Sequence, residues 1–141
     1  MTGRQDFRFP KQRRILRRAD FLRLLESGRR DGDRRLQIWA IPNHLPYSRL
    51  GLIVGKRCGN AVQRNRWKRL LRESFRLVRE RLPIGFDFAC SPRAGARPVL
   101  TELQDSLIRI TLSLAKKYPR KHTADPPPPA DSEDTDEARR L

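Results

Sequence analysis

The side chains best suited to chemistry in this chain are cations that recur between Asn60 and Arg79. At about 100° per residue, one arc of this stretch collects the following polar side chains: Asn65, Lys68, Arg69, Arg72, Arg76 and Arg79. The arc contains no acid, although a solvated helix usually gains stability from acid–base pairs three or four residues apart. Repulsion among the cations costs stability, which an anionic partner would offset. The pattern therefore predicts a surface that binds polyanions.

The opposite arc of the same stretch is apolar and predicts a packed helix. Its members are Trp67, Leu70, Leu71, Phe75, Leu77, Val78 and Leu82. Asn60 is the predicted N-cap, Gln63 would complete a capping box, and Pro83 followed by Gly85 would stop the helix. A solvated basic helix is the alternative interpretation, and the acid-free arc disfavours it.

Charge is unevenly distributed along the 141 residues. The net charge is +16, with 26 arginines and 6 lysines, yet residues 124–141 hold 6 acids and only 2 bases. A body this small and basic attracts polyphosphate by releasing counterions, and guanidinium groups also clamp phosphates and stack on bases. No apolar run approaches the ~20 residues of a membrane-spanning helix, and no signal peptide is recognisable. We therefore expect a cytoplasmic protein without a membrane partner.

Groups that could perform catalysis unaided are scarce. Cys58 and Cys90 are too few for a disulfide framework and are not spaced with histidine as a metal site. His44 and His122 are isolated, and no set of nucleophile, general base and metal ligands is recognisable. We therefore expect no catalytic residue and no metal site in the chain itself.

The hydrophobic pattern predicts a single α+β domain. A first helix is predicted to open at or near Asp20 and to end at Gly28, and strands are predicted at 36–41, 50–54 and 86–90. The basic helix lies between the last two strands. A final helix follows, opened by a predicted capping box at Thr101 to Gln104. We expect the strands at 36–41 and 50–54 to pair antiparallel, and the helices to cover one side of a small sheet. In the final helix, the predicted core positions are Leu103, Leu107, Ile110 and Leu114.

The order of residues in the basic helix is recognisable. The residues Ala61, Val62, Arg64, Asn65, Arg66, Lys68, Arg69, Arg72, Glu73, Phe75 and Arg76 resemble the motif of the bacterial ribonuclease P protein subunit. The similarity extends through Phe9-Pro10, Arg14, Asp20-Phe21, 50–57 and Asp87-Phe88, and covers roughly residues 7–118. It implies an accessory subunit of an RNA-based endoribonuclease, which binds the catalytic RNA and the 5′ leader of precursor tRNA. The RNA subunit would hydrolyse the phosphodiester, with Mg2+ held mainly by RNA.

The resemblance also implies the fold and the site. It adds a short strand near Arg29 to Asp33, so the expected fold is a four-stranded α-β sandwich with the element order α-β-β-β-α-β-α. It also implies a left-handed βαβ crossover, although such connections are usually right-handed. The residues implied to contact the catalytic RNA are Arg64, Asn65, Arg66, Lys68, Arg69 and Arg72. The residues implied to line a leader-binding cleft between the sheet and the first helix are Arg14, Phe21, Trp39 and Arg57.

Trp39 is the aromatic residue with the clearest expected position in that cleft. Leu36, Ile38 and Ala40 can occupy the apolar face of its strand, which leaves Trp39 on the other face. An aromatic ring in a positive groove is typical of a platform on which single-stranded bases stack. A core aromatic residue is the alternative interpretation.

Three segments are predicted from composition: a flexible N-terminal segment at 1–13, an RNA-binding domain at 14–118, and a disordered tail at 119–141 with a proline run and an acidic end. Charge alone leaves two other functions open. A structural RNA-binding module, such as a ribosomal protein, would share the charge, whereas a DNA-binding protein is disfavoured because no helix-turn-helix spacing is evident. The motif's order of residues favours the ribonuclease P interpretation, without a DNA partner.

Overall fold

The computed structural model describes residues 13–15 and 17–118. The predicted flexible segment, apart from Arg13, and the predicted disordered tail lie outside the described residues. The elements are α1 (Arg18–Ser27), β1 (Arg29–Gly32), β2 (Leu36–Pro42), β3 (Arg49–Leu52), α2 (Ala61–Val78), β4 (Phe86–Pro92) and α3 (Leu100–Lys116). Two 3-10 turns flank α2, at Lys56–Cys58 and Arg79–Arg81. The predicted α+β class and the order α-β-β-β-α-β-α are confirmed.

The four strands lie in the order β1-β2-β4-β3. The β4 strand pairs antiparallel with β2 and parallel with β3. The predicted direct pairing of β2 with β3 is therefore wrong. All seven residues of β4 are buried, and a strand buried on both faces takes a central position, which displaces β3 to the edge. The connection from β3 through α2 to β4 joins adjacent parallel strands and is consistent with the implied left-handed crossover.

Helices cover both sides of the sheet, so the prediction that they lie on one side is also wrong. Side chains alternate along each strand, and Leu36, Ile38 and Ala40 point toward α2 and α3 in the larger core. We call this side the core face. Trp39 and Ala89 point the opposite way and pack with α1, and we call that side the α1 face. Apolar side chains on both faces need cover, which one helical layer cannot supply.

The α2 helix begins as predicted. The Asn60 Oδ1 accepts from the Gln63 amide at 2.9 Å, and the Gln63 Oε1 accepts from the Asn60 amide at 2.8 Å, which completes the capping box. The α-helix ends at Val78, before Pro83, because the chain tightens into the 3-10 turn. Most of its predicted core positions are buried, but Leu77 is 43% exposed.

The α3 helix starts differently from the prediction. Its N-cap is Val99, without a side-chain cap, and Thr101 already lies inside the first turn. The predicted capping box at Thr101 to Gln104 is therefore wrong. The predicted core residues of this helix are all buried: Leu103, Leu107, Ile110 and Leu114. Periodicity thus located the packed face of α3 but not its first residue.

Candidate nucleic-acid interface

The predicted RNA-contacting residues of α2 occupy three parts of its surface. Arg64, Lys68 and Arg72 recur every four residues and are all half-buried, and we call them the half-buried row. Asn65 and Arg69 lie beside this row and are exposed. The Nε of Arg64 is buried without a hydrogen-bond partner among the described residues, as expected of a donor that awaits a ligand.

Arg66 lies at the far edge of this surface. Two residues along a helix correspond to about 200°, so Arg66 lies about 160° from Arg64, but it is only about 60° from Arg69, three residues further on. It is exposed. The six predicted residues therefore lie on one broad arc of α2, with Arg64 at one edge and Arg66 at the other.

Arg14 extends the half-buried row from outside the helix. Its backbone forms a parallel bridge with Leu50, and the next residue, Ile15, packs on the α1 face. Alternation directs the Arg14 side chain to the core face, where α2 lies. Burial, together with the positive charge of Arg14, lowers the pKa of the Arg72 guanidinium. The structure thus places Arg14 with α2 rather than with the other three residues of the predicted cleft.

Phe21 and Trp39 lie on the same side of the sheet, the α1 face. Both are half-buried and pack around Leu24 and Ala89. An added Cβ at Gly51 would lie 2.5 Å from Cζ of Phe21, so the ring rests directly on the backbone of β3. This close approach requires a glycine. The two aromatic rings are therefore held on the same side of the sheet, with part of each surface open to solvent.

Arg57 brings a positive charge to the same face. Its Nη2 donates to the Ser91 Oγ at 3.3 Å. Ser91 lies on β4, two residues beyond Ala89, the residue that pairs with Trp39. Arg57 therefore contacts the α1 face two residues along β4 from the position opposite Trp39. Aromatic rings and a cation on one surface are the components of a single-stranded RNA site. The structure thus assembles three of the four predicted cleft residues.

Comparison with known proteins supports the RNA assignment. A model of the family described as Ribonuclease P matches residues 9–118. The chain is 37% identical over 101 residues to the ribonuclease P protein component of Chlamydia trachomatis, an alignment that covers 71% of this chain and 83% of that protein. It is 46% identical over 74 residues to the ribonuclease P protein component of Desulforapulum autotrophicum, covering 52% of this chain and 63% of that protein.

Solved structures agree with the sequence comparison. The ribonuclease P protein of Staphylococcus aureus superposes with a TM-score of 0.63 at 32% identity, covering 74% of this chain and 95% of that one. The protein of Thermotoga maritima gives a TM-score of 0.63 at 31% identity, covering 69% and 96%. The chain belongs to the ribonuclease P protein family. It is an RNA-binding accessory subunit of the endoribonuclease that processes the 5′ end of tRNA.

An ionic network anchors α1 in this ribonuclease P fold, and sequence reasoning did not find it. Arg49 donates to both oxygens of Asp87, at 2.8 and 2.6 Å, and lies 3.5 Å from Asp20 on α1. Asn43 donates to Asp87 at 2.8 Å. Asp20 and Asp87 are both buried. The available signal was Asp87 itself, an acid between two phenylalanines, because a buried carboxylate requires a partner.

The family's chemistry implies Mg2+, an ion that proteins hold with oxygen ligands such as carboxylates. Among the described residues, no three His, Cys, Asp or Glu side chains cluster as metal ligands. The buried carboxylates that come close together, Asp20 and Asp87, already share Arg49. These residues do not fit a metal site. In the described part of this ribonuclease P protein, no helix is long and apolar enough to cross a membrane.

Proposed function

We propose that α2 binds the catalytic RNA of ribonuclease P and that the α1 face binds the single-stranded 5′ leader of precursor tRNA. The observation that carries the proposal is the acid-free half-buried row, extended by Arg14. A half-buried guanidinium has lost much of its rotamer freedom before binding, so less ordering entropy opposes a phosphate contact. The predicted residues of α2 would contact this RNA along one arc: Arg64, Asn65, Arg66, Lys68, Arg69 and Arg72.

The leader would lie over Phe21 and Trp39. Stacking of bases on aromatic rings tolerates any sequence, because every base has a flat π face. Arg57 would pair with a leader phosphate. It belongs to the turn at Lys56–Cys58, which connects β3 to α2, so it lies where the two proposed RNA surfaces approach each other. A substrate on the α1 face would thereby be led toward the RNA on α2.

In this assignment the protein supplies binding and orientation, and the RNA performs the hydrolysis. The 30 bases in residues 1–123 would lower the repulsion between two RNA molecules that must come together. Mg2+ would be held by RNA phosphates. Residues 14–118 form the RNA-binding domain in this proposal, and its place of action is the cytoplasm, where precursor tRNA is made.

Reconstitution tests the assignment directly. The purified chain is added to its RNA subunit at low Mg2+, and cleavage of precursor tRNA is measured. We expect the chain to restore cleavage that RNA alone performs poorly under these conditions, and to cut nothing without the RNA. Cleavage by the chain alone, or no effect on the RNA, would contradict the proposal.

Salt dependence tests which residues contact RNA. Arg64→Ala should lower the slope of log affinity against log salt by about 0.7 to 0.9, the value for one lost phosphate contact. Arg97→Ala is the matched control, because Arg97 is 75% exposed in the loop between β4 and α3 and its substitution changes the net charge equally. Equal slopes for the two variants would show that total charge, and not α2, governs binding.

A further inference from the structure

A cavity outside both proposed RNA surfaces lies at the C-terminal end of α2. It has a volume of about 350 Å³ and is lined by Arg13, the turn at 46–48, the end of α2 and the loop at 82–84. Its walls combine aromatic and apolar side chains with charges: Arg13, Tyr47, Arg79, Glu80, Leu82 and Ile84. Ile84 is 68% exposed, so its side chain offers apolar surface at the rim of the cavity.

The walls of this cavity are held firmly. The Ser48 hydroxyl donates to the Pro83 carbonyl at 2.7 Å and accepts from the Phe86 amide at 3.0 Å, which ties the turn to the loop. Asn43 donates to the Tyr47 carbonyl at 3.2 Å. The walls formed by the turn and the loop are therefore ordered before a ligand arrives, and little ordering cost opposes contact with them.

The polar groups at the rim fit a nucleotide. The guanidinium of Arg13 lies 4.9 Å from the centre of the Tyr47 ring, which forms a flat cationic and aromatic wall. A base can stack on such a wall, and the phosphate can pair with Arg13 or Arg79. The Glu80 carboxylate can accept from an amino or imino group on the base edge.

The position of the cavity indicates which RNA would supply the nucleotide. Arg79 lies seven residues after Arg72, on the same side of α2 as the half-buried row. Arg13 precedes Arg14, whose charge acts on Arg72. Arg79 and Arg13 therefore place cations between the half-buried row and the cavity. An RNA backbone that follows α2 arrives at the cavity rim.

We propose that this cavity binds one unpaired nucleotide of the catalytic RNA, with its base against Tyr47 and Ile84 and its phosphate between Arg13 and Arg79. The inference rests on the proposed binding of the catalytic RNA by α2. It adds a recognition site for a base, whereas the row itself contacts only phosphates.

The first test measures the affinity of the full chain for the RNA subunit. Ile84→Glu should weaken binding about 5- to 100-fold, as expected for the loss of one stacked base. Leu112→Glu is the matched control, because Leu112 is an exposed leucine on α3 and the charge change is identical. We expect at most a twofold effect from the control. Equal losses in both variants, or none in Ile84→Glu, would overturn the proposal.

The second test does not use the RNA subunit, so its outcome is independent of the α2 assignment. Nucleoside monophosphates are titrated into the full chain, and the Ile84 methyl and Tyr47 ring signals are followed by NMR. We expect shifts with a nucleoside monophosphate and none with inorganic phosphate at equal ionic strength. Equal shifts with phosphate would show an anion site without base recognition and would overturn the proposal.

Two other occupants are distinguished by further measurements. If a second copy of the chain filled the cavity, sedimentation would show a dimer that Ile84→Glu abolishes. If residues 1–12 filled it, a chain starting at Arg13 would bind nucleotide while the full chain would not. Either result would overturn the proposal, and a monomeric full chain that binds nucleoside monophosphates would support it.

Discussion

The two faces of the sheet are closed by different interactions. On the core face, α2 and α3 contribute fully buried apolar side chains, such as Leu71 and Leu107. On the α1 face, the fully enclosed apolar group is small and includes Leu24 and Ala89. There Asp20 of α1 also lies 3.5 Å from Arg49, whose guanidinium is held by Asp87.

The two kinds of interaction contribute differently: apolar burial stabilises the folded domain, and ion pairs orient particular side chains. Apolar contacts are roughly proportional to buried area and impose little direction, whereas a bidentate ion pair fixes orientation. The core face therefore holds the domain together. The bidentate pair with Asp87 orients the Arg49 guanidinium on the sheet, where it also approaches Asp20 of α1 at 3.5 Å. Because the apolar cover on that side is incomplete, the rings of Phe21 and Trp39 keep exposed surface that a ligand can use.

The largest expected effect comes from breaking the ionic network. Arg49→Met leaves Asp87 buried without its cation, while Asp20 keeps its pair with Arg23 at 3.0 Å. The substitution should lower the free energy of unfolding by about 3 to 5 kcal/mol. Urea denaturation measures the loss. The double variant Arg49→Met with Asp87→Asn should recover part of it, since one uncompensated charge is removed. An Arg49→Met variant as stable as the parent would show that apolar contacts alone hold α1.

The core face is tested by two adjacent leucines of α2. Leu71 is 0% exposed, and Leu71→Ala should cost about 2 to 5 kcal/mol of unfolding free energy. Leu70 is only half-buried, so Leu70→Ala should cost clearly less. Urea denaturation of both variants compares them directly. Equal losses would mean that the packed side of α2 is rotated from the one described.

Local features of the fold were predictable from sequence, and strand order was not. The capping box at Asn60 and Gln63 depends on residues three apart, and the apolar period of α2 depends on neighbouring turns. The position of β4 between β2 and β3 depends on packing across the whole domain. Asp87 and Ser91 interrupt the apolar pattern of β4, so its burial on both faces could not be deduced locally.

The candidate site was predicted in residue type more completely than in arrangement. The cations of α2 are evident from the sequence, and the angle that separates Arg66 from Arg64 follows from helix geometry. The network of Asp20, Arg49 and Asp87 joins positions far apart in the chain, and no spacing rule connects them. The position of the Arg14 side chain could not be predicted, because it depends on the pairing of its segment with β3.

A second ionic contact, at the rim of the core face, gives a smaller effect that depends on pH. Burial would raise the pKa of Asp33, but hydrogen bonds from Ser106 and from the Leu36 and Arg35 amides, with the charge of Arg109, lower it overall. The ionised Asp33 therefore stabilises the folded protein at pH values above about 3.9, its pKa in the unfolded chain. This stabilisation is lost as the pH falls through the lower pKa of Asp33 in the folded protein.

Asp33→Asn should cost about 1.5 to 3 kcal/mol of unfolding free energy at pH 7, because it removes hydrogen bonds to a charged group. The difference from the parent should shrink as the pH falls below about 4. Urea denaturation at several pH values measures it. Asp105→Asn is the control, since Asp105 pairs with Arg109 at the surface and is 64% exposed. A pH-independent cost for Asp33→Asn would show that the loss is steric.

The smallest expected effect concerns the aromatic surface of the α1 face. Trp39→Ala should reduce the affinity of the holoenzyme for precursor tRNA with a leader of several nucleotides by about 1 to 3 kcal/mol, the range for one stacked base. Mature tRNA should bind unchanged. Binding of both RNAs is measured at the same salt concentration, since phosphate contacts depend strongly on salt.

The contrast between the two tRNAs separates a ligand role for Trp39 from a packing role. Trp39 contacts the small apolar group that supports α1, so its removal also lowers stability. A general folding defect would weaken both RNAs together, whereas a lost stacking platform affects only the RNA that places a base on it. Trp39→Phe keeps a flat ring and should retain most of the preference for the leader. Equal losses for leader-bearing and mature tRNA would assign Trp39 to packing and leave the α1 face without its proposed platform.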